Sequence, residues 1–250
     1  MSEEGARNIL DLLQNGAMEM AGLLPWSSNY SFLARVRGPL GADPEYEMTV
    51  VYKPRQGERP LWDFAAGTLC QREVAAFFIS DALGWDIVPP TVLRQGPHGI
   101  GSVQQFIEHD PECHYFTIEG SLDFRHTLQQ IVLFDTLINN ADRKGGHVLL
   151  QEAENNAHSD RLWAIDHGIC FHAEYKLRSV VWEFAGMPIP DDLLTDLVQF
   201  KSNLGQIRAT LQQLLTGPEL LALEKRLDRI IKRATFIQPG PGRHYPWPPV

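Results

Sequence analysis

The chain has 250 residues, 44% of them apolar and 21% charged, which is enough for one large or two small domains with ample core. Its net charge of −9 argues against a nucleic-acid binder and against docking on an anionic membrane. An acidic start that is no signal peptide, the absence of any run near the roughly 18 apolar residues of a membrane span, and three scattered cysteines together predict a soluble, cytoplasmic protein.

In chain order, Ile9, Leu10, Leu12 and Leu13 stand at near-helical spacing and Gly16 can stop a helix over 5–15. Strand-like runs follow at Met18–Leu24, Tyr30–Val36 and Met48–Lys53, separated by turn signals at 25–29 and 38–44. A helix is predicted over Gly67–Leu83, with Leu69, Val74, Phe77 and Phe78 on its buried face and Gly84 at its end. Val88-Pro-Pro90 forces extended backbone, and strands fit Thr91–Arg94 and Ser102–Ile107. Beyond Glu108 the pattern turns helical: a helix near Leu122–Ile138, then Asp192–Leu215 and Glu219–Thr235. Between them lie two short apolar runs, Val148–Leu150 and Leu162–Ile165, joined by a polar hairpin. The Pro- and Gly-rich segment 238–250 is predicted to be extended or mobile. A β-rich first half and a helical second half predict an α+β protein of two lobes, 1–108 and 109–237, with a cleft between them.

The two apolar runs matter because an acid flanks each: Asp142 lies in the polar loop before the first, and Asp166 follows the second. Pairing the runs carries both carboxylates to one end of the hairpin. Phosphoryl transfer needs one carboxylate to orient the acceptor hydroxyl and another to hold the metal on the phosphates. The first half supplies complementary parts. Lys53 ends a β-branched strand, where its ammonium can reach phosphates, and Glu73 lies near the start of the following helix, suitably spaced to pair with it. Asp135 falls on the apolar face of its helix and reads as a buried, hydrogen-bonded brace. Lys225, Arg226, Arg229, Lys232 and Arg233 read as the solvated face of the last helix.

The runs Val51-Tyr-Lys53-Pro, Arg72-Glu73-Val-Ala-Ala and Leu83-Gly-Trp-Asp-Ile-Val-Pro-Pro90 resemble the atypical kinases of the Golgi casein kinase group. Asp135 to Arg143 and Ala164-Ile-Asp166-His-Gly are similar both to that group and to type II phosphatidylinositol 4-kinases, and more loosely to HipA-type kinases. A bacterial phosphatidylinositol kinase-like family looks closer still. The resemblance covers roughly residues 18–190. It implies a kinase-like fold, ATP, and Mg²⁺ or Mn²⁺. Lys53 would then contact the nucleotide phosphates, and Glu73 would pair with Lys53 or help hold a metal. Asp142 would be the catalytic base and Asp166 the metal ligand. Gln104, Phe106 and Glu108 would lie in the hinge that meets the adenine, and Ser27 and Ser28 in the loop over the phosphates. Where many such kinases carry a metal-binding asparagine, this chain has His147, so His147 is either a ligand, favouring softer metals, or a loop histidine bonded to backbone. Lys176 and Arg178 can present positive charge to an acceptor. The acceptor implied is a hydroxyl of a protein or small molecule. A phosphatidylinositol kinase and a non-catalytic nucleotide-binding pseudokinase are the alternatives.

Overall fold

The computed structural model describes residues 3–24, 29–41, 43–153 and 159–250, which form two compact units. One comprises Met1–Phe77 and Pro89–Ile107, the other Phe78–Val88 and Glu108–Val250.

The first unit is built on a five-stranded antiparallel sheet in the order β1-β2-β3-β5-β4, with β1 Ala17–Leu23, β2 Phe32–Leu40, β3 Asp43–Pro54, β4 Thr91–Gly96 and β5 Gly99–Gln105. Alternation along β3 puts Met48, Val50 and Tyr52 into the core and leaves Thr49, Val51 and Lys53 on the opposite face. Helix α1 (Glu3–Asn15) closes that core with Leu12 and Leu13. It stops where Gly16 presses against β2: a Cβ there would stand 2.5 Å from Val36 Cγ1. Arg94 of β4 donates to the carbonyls of Leu13 and Gly16 at 2.9 and 2.8 Å, placing a cation at the negative end of the helix. The predicted turn over 38–44 is shorter than expected, since the β2–β3 ladder runs on to the pair Leu40 and Asp43. Strong cross-strand pairing carries Gly38 and Pro39 into the sheet, and the reversal falls at Gly41, whose φ of 58° suits glycine.

Helix α2 (Leu69–Ala82) begins in the first unit, where it presents Arg72 and Glu73 as buried charges, and ends in the second. The second unit continues with a short helix α3 (Tyr115–Ile118), α4 (Arg125–Ile138), the hairpin β6 (Val148–Gln151) and β7 (Arg161–Ala164), and two long helices, α5 (Asp191–Leu214) and α6 (Gly217–Arg233). A capping box starts α6: Glu219 accepts from the Thr216 backbone N–H and hydroxyl, both at 2.8 Å. Among the described residues no helix is long and apolar enough to cross a membrane.

Two expectations change here. The tail is extended, but it is bound in place: Ser179 N–H donates to His244 O at 3.0 Å, and Gly145 N–H donates to Pro249 O at 2.8 Å. Proline-rich backbone keeps its carbonyls free of any ladder, so neighbouring N–H groups can take them. Arg226 also departs from the solvated face, because its guanidinium turns inward to the carbonyls of Leu137 and His172 at 2.7 and 3.2 Å.

Candidate active site

In the first unit, the outward face of β3 aims Lys53 at α2, and its Nζ meets Glu73 Oε1 at 2.5 Å. Glu73 is buried, whereas the Lys53 side chain is 23% exposed, so the carboxylate orients an ammonium that still reaches solvent. The expected pairing of Glu73 with Lys53 is present. The proposed hinge residues are also accounted for. Gln104 sits in β5 between β3 and β4, and its side-chain amide donates to Thr91 Oγ1 at 2.8 Å. Phe106 N–H donates to Thr49 O at 3.0 Å, and Glu108 is an exposed residue at the beginning of the next segment. Ser27 and Ser28 lie outside the described residues.

In the second unit the β6–β7 register pairs Val148 with Ala164. Pairing continues one step further, with Ile165 N–H donating to His147 O at 3.0 Å, so His147 and Asp166 emerge together at the same end. His147 Nε2 lies 3.3 Å from Asp166 Oδ2. Its Nδ1 lies 3.1 Å from the backbone carbonyl of Asp142. A carbonyl only accepts, so Nδ1 carries a proton and the ring is oriented with Nε2 toward the carboxylate. Asp142 approaches the pair from its own loop. Burial pushes its carboxyl up to about 6; Lys144, whose ammonium is 3.7 Å away, opposes that shift, and the charge of Asp166 adds to it. Asp166 itself adopts a left-handed backbone with φ 59°, a conformation that Asp tolerates better than most residues.

A buried framework holds this loop. Helix α4 ends at Asn139 in the left-handed conformation. The Asn139 amide donates to the carbonyls of His172 and Glu174 at 2.9 and 2.7 Å and accepts from Lys176 N–H at 2.9 Å. Asp135 is the brace that its apolar surroundings imply. Its two oxygens take Arg143 Nε and Nη2 at 2.8 and 3.0 Å, and Asn140 Nδ2 donates to it at 2.9 Å. Fully buried Arg143 spends its other donors on His147 O, Ile165 O and His167 Nε2 at 3.0, 2.9 and 2.7 Å. One guanidinium therefore ties together the loop before β6 and the segment after β7. The sequence pattern assigns no role to Arg143, Asn139, Asn140 or His167. Their only signal was adjacency to the two acids, since a hydrogen-bond hub leaves no periodicity.

The chemistry of these donors suits a divalent cation. An imidazole Nε2 and a carboxylate oxygen lie 3.3 Å apart, and a second carboxylate, its pKa raised by burial and by the charge of Asp166, is held near them. No set of three or more His, Cys, Asp or Glu side chains converges among the described residues. Two protein ligands with phosphates and water completing the shell is the manner in which Mg²⁺-type ions are held.

The family model for phosphatidylinositol 3- and 4-kinase matches residues 93–228, more than half of the chain. The chain belongs to that family. Protein Rv2133c of Mycobacterium tuberculosis is 34% identical over 95% of this chain and 94% of its own length. Phosphatidylinositol 4-kinase gamma 4 of Oryza sativa subsp. japonica is 30% identical over 44% of this chain, and that match spans 22% of the plant protein. Among solved structures, the Golgi casein kinase with Mn/ADP bound is similar over 94% of this chain and 76% of its own, with a TM-score of 0.64 at 17% identity. The fold is thus the α+β, two-lobed kinase-like fold expected from the sequence, and the protein is a kinase of the phosphatidylinositol 3- and 4-kinase type.

Proposed function

We propose that this kinase transfers the γ-phosphate of ATP to a hydroxyl group of a protein or small molecule in the cytoplasm, using Mg²⁺ or Mn²⁺. The observation that carries this reading is the pairing of His147 with Asp166 at one end of the β6–β7 hairpin, with the Asp142 backbone bonded to His147 and Arg143 bracing the loop. Asp142 is the base: its half-buried carboxylate accepts the proton of the acceptor hydroxyl, and its raised proton affinity favours that transfer near neutral pH. Asp166 and His147 would hold the cation, which when bound supplies charge neutralisation on the phosphate oxygens. The imidazole favours Mn²⁺ and the carboxylate serves either ion. Lys53 contacts the phosphates while Glu73 fixes its position. Gln104, Phe106 and Glu108 remain the proposed adenine-side residues, and Ser27 and Ser28 the phosphate-covering ones. The proposed lobes are 1–108 and 109–237, with 238–250 as a tail. Phosphatidylinositol as the acceptor is the second reading, favoured by the family description and the plant relatives' names.

The test compares ATP turnover with Mg²⁺ and Mn²⁺ in the wild type, Asp142→Ala and Asp166→Ala. Turnover is expected in the wild type only, and equal rates in all three would refute the assignment. Assaying phosphatidylinositol vesicles against protein acceptors separates the two readings of the acceptor.

A further inference from the structure

Helix α6 carries a row of cations. Arg226, Arg229, Ile230 and Arg233 recur at the spacing that puts residues on one face of a helix. That face borders a cavity of about 460 Å³, whose other walls include Leu133 and Thr136 of α4, Tyr175, Phe236 and Gln238. Three guanidinium-bearing residues line it and, among the described residues, no carboxylate does, in a chain whose net charge is −9. Arg226 is the anchored member. Its Nε and Nη1 donate to Leu137 O and His172 O, while its Nη2 is buried with no hydrogen-bond partner among the described residues. Burial pushes this guanidinium down to about 10, and the charge of Arg229 acts in the same direction. Neighbouring like charges are a costly arrangement, which an anion in the cavity relieves.

We propose that this cavity binds an organic phosphate, with the phosphoryl group held by Arg226, Arg229 and Arg233 and the apolar or planar part resting against Tyr175, Ile230 and Phe236. A guanidinium fork matches phosphate oxygens, and several together suit a dianion better than a single carboxylate. The volume falls within the range of small-molecule sites. Lys53, Glu73, Asp142, His147 and Asp166 do not line it, so the site is distinct from the one that performs transfer. Two hydrogen bonds link it to the catalytic loop: His172 O, which Arg226 engages, also accepts from Asn139, the residue that ends α4 before Asp142.

The test is calorimetric titration of the full chain with inorganic pyrophosphate, phosphate and phenyl phosphate. A Lys53→Met background removes phosphate binding at the nucleotide site. Arg229→Gln and Arg233→Gln are added together, both at exposed positions, so folding is retained and is checked by thermal melting. Pyrophosphate is expected to bind the Lys53→Met protein and to lose about tenfold or more in affinity when the two glutamines are added. Phenyl phosphate should bind several-fold tighter than phosphate. Loss of pyrophosphate binding in Lys53→Met alone, or unchanged affinity in the triple variant, overturns the site. Equal affinity for phenyl phosphate and phosphate overturns its organic part.

Discussion

Removing the carboxylate of Asp135 leaves a fully buried cation without its counter-charge. Arg143 gives that carboxylate two hydrogen bonds, 2.8 and 3.0 Å long, and Asn140 gives it a third at 2.9 Å. Bonds to charged groups contribute about 1.5–3 kcal/mol and neutral ones about 1 kcal/mol. Breaking a buried pair from one side costs about 3–5 kcal/mol. Asp135→Ala is therefore expected to lose about 4 kcal/mol, a large share of the roughly 5–15 kcal/mol that keeps a domain folded. The double variant Asp135→Leu/Arg143→Met carries no buried charge and should recover most of that loss. It should not recover turnover, because Arg143 also holds the carbonyls of His147 and Ile165 at 3.0 and 2.9 Å. Urea denaturation followed by tryptophan fluorescence gives the stability, and ATP consumption gives the activity. An Asp135→Ala protein within about 1 kcal/mol of wild type would refute the reasoning, as would a double variant that turns over ATP.

Asp142 yields a pH prediction. Its folded form holds the proton more tightly than the unfolded chain does, so stability from this group falls as pH rises from about 4 to about 6 and is level above that. Asp142→Asn should thus raise stability at pH 7 by up to about 3 kcal/mol, add nothing near pH 4, and abolish turnover; melting curves of the metal-free protein at both pH values decide it. At Asp166 the backbone is left-handed, φ 59°, so Asp166→Gly should leave stability equal or raise it by up to about 1 kcal/mol while removing turnover and Mn²⁺ binding measured by electron paramagnetic resonance. Retained Mn²⁺ affinity in that variant would contradict the ligand assignment.

Much of the site was legible because it depends on local rules. Two apolar runs with acids at their ends force a hairpin that delivers both acids to one end, and the observed pairing of Val148 with Ala164 follows from that pattern. Lys53 was readable from strand alternation and Glu73 from its place early in a helix. Three features were not legible. Arg143 looks like any arginine beside a loop, because burial by long-range partners leaves no trace in spacing. Helical periodicity assigns Arg226 to water, because it cannot see that the Leu137 carbonyl near the end of α4 and the His172 carbonyl accept from it. Composition predicts an extended or mobile tail, whereas its anchors are backbone hydrogen bonds to distant residues.

The tail's docking has a practical corollary. Pro249 O is 2.8 Å from Gly145 N, and a Cβ placed on Gly146 would lie 3.9 Å from Val250 Cγ1. Any polypeptide joined after Val250 leaves the molecule alongside the loop that carries Asp142 and His147. A purification tag or reporter fused there would crowd that loop and bias an activity measurement. The same proximity makes residues after Val250 a suitable point for attaching a cross-linker to capture whatever approaches Asp142.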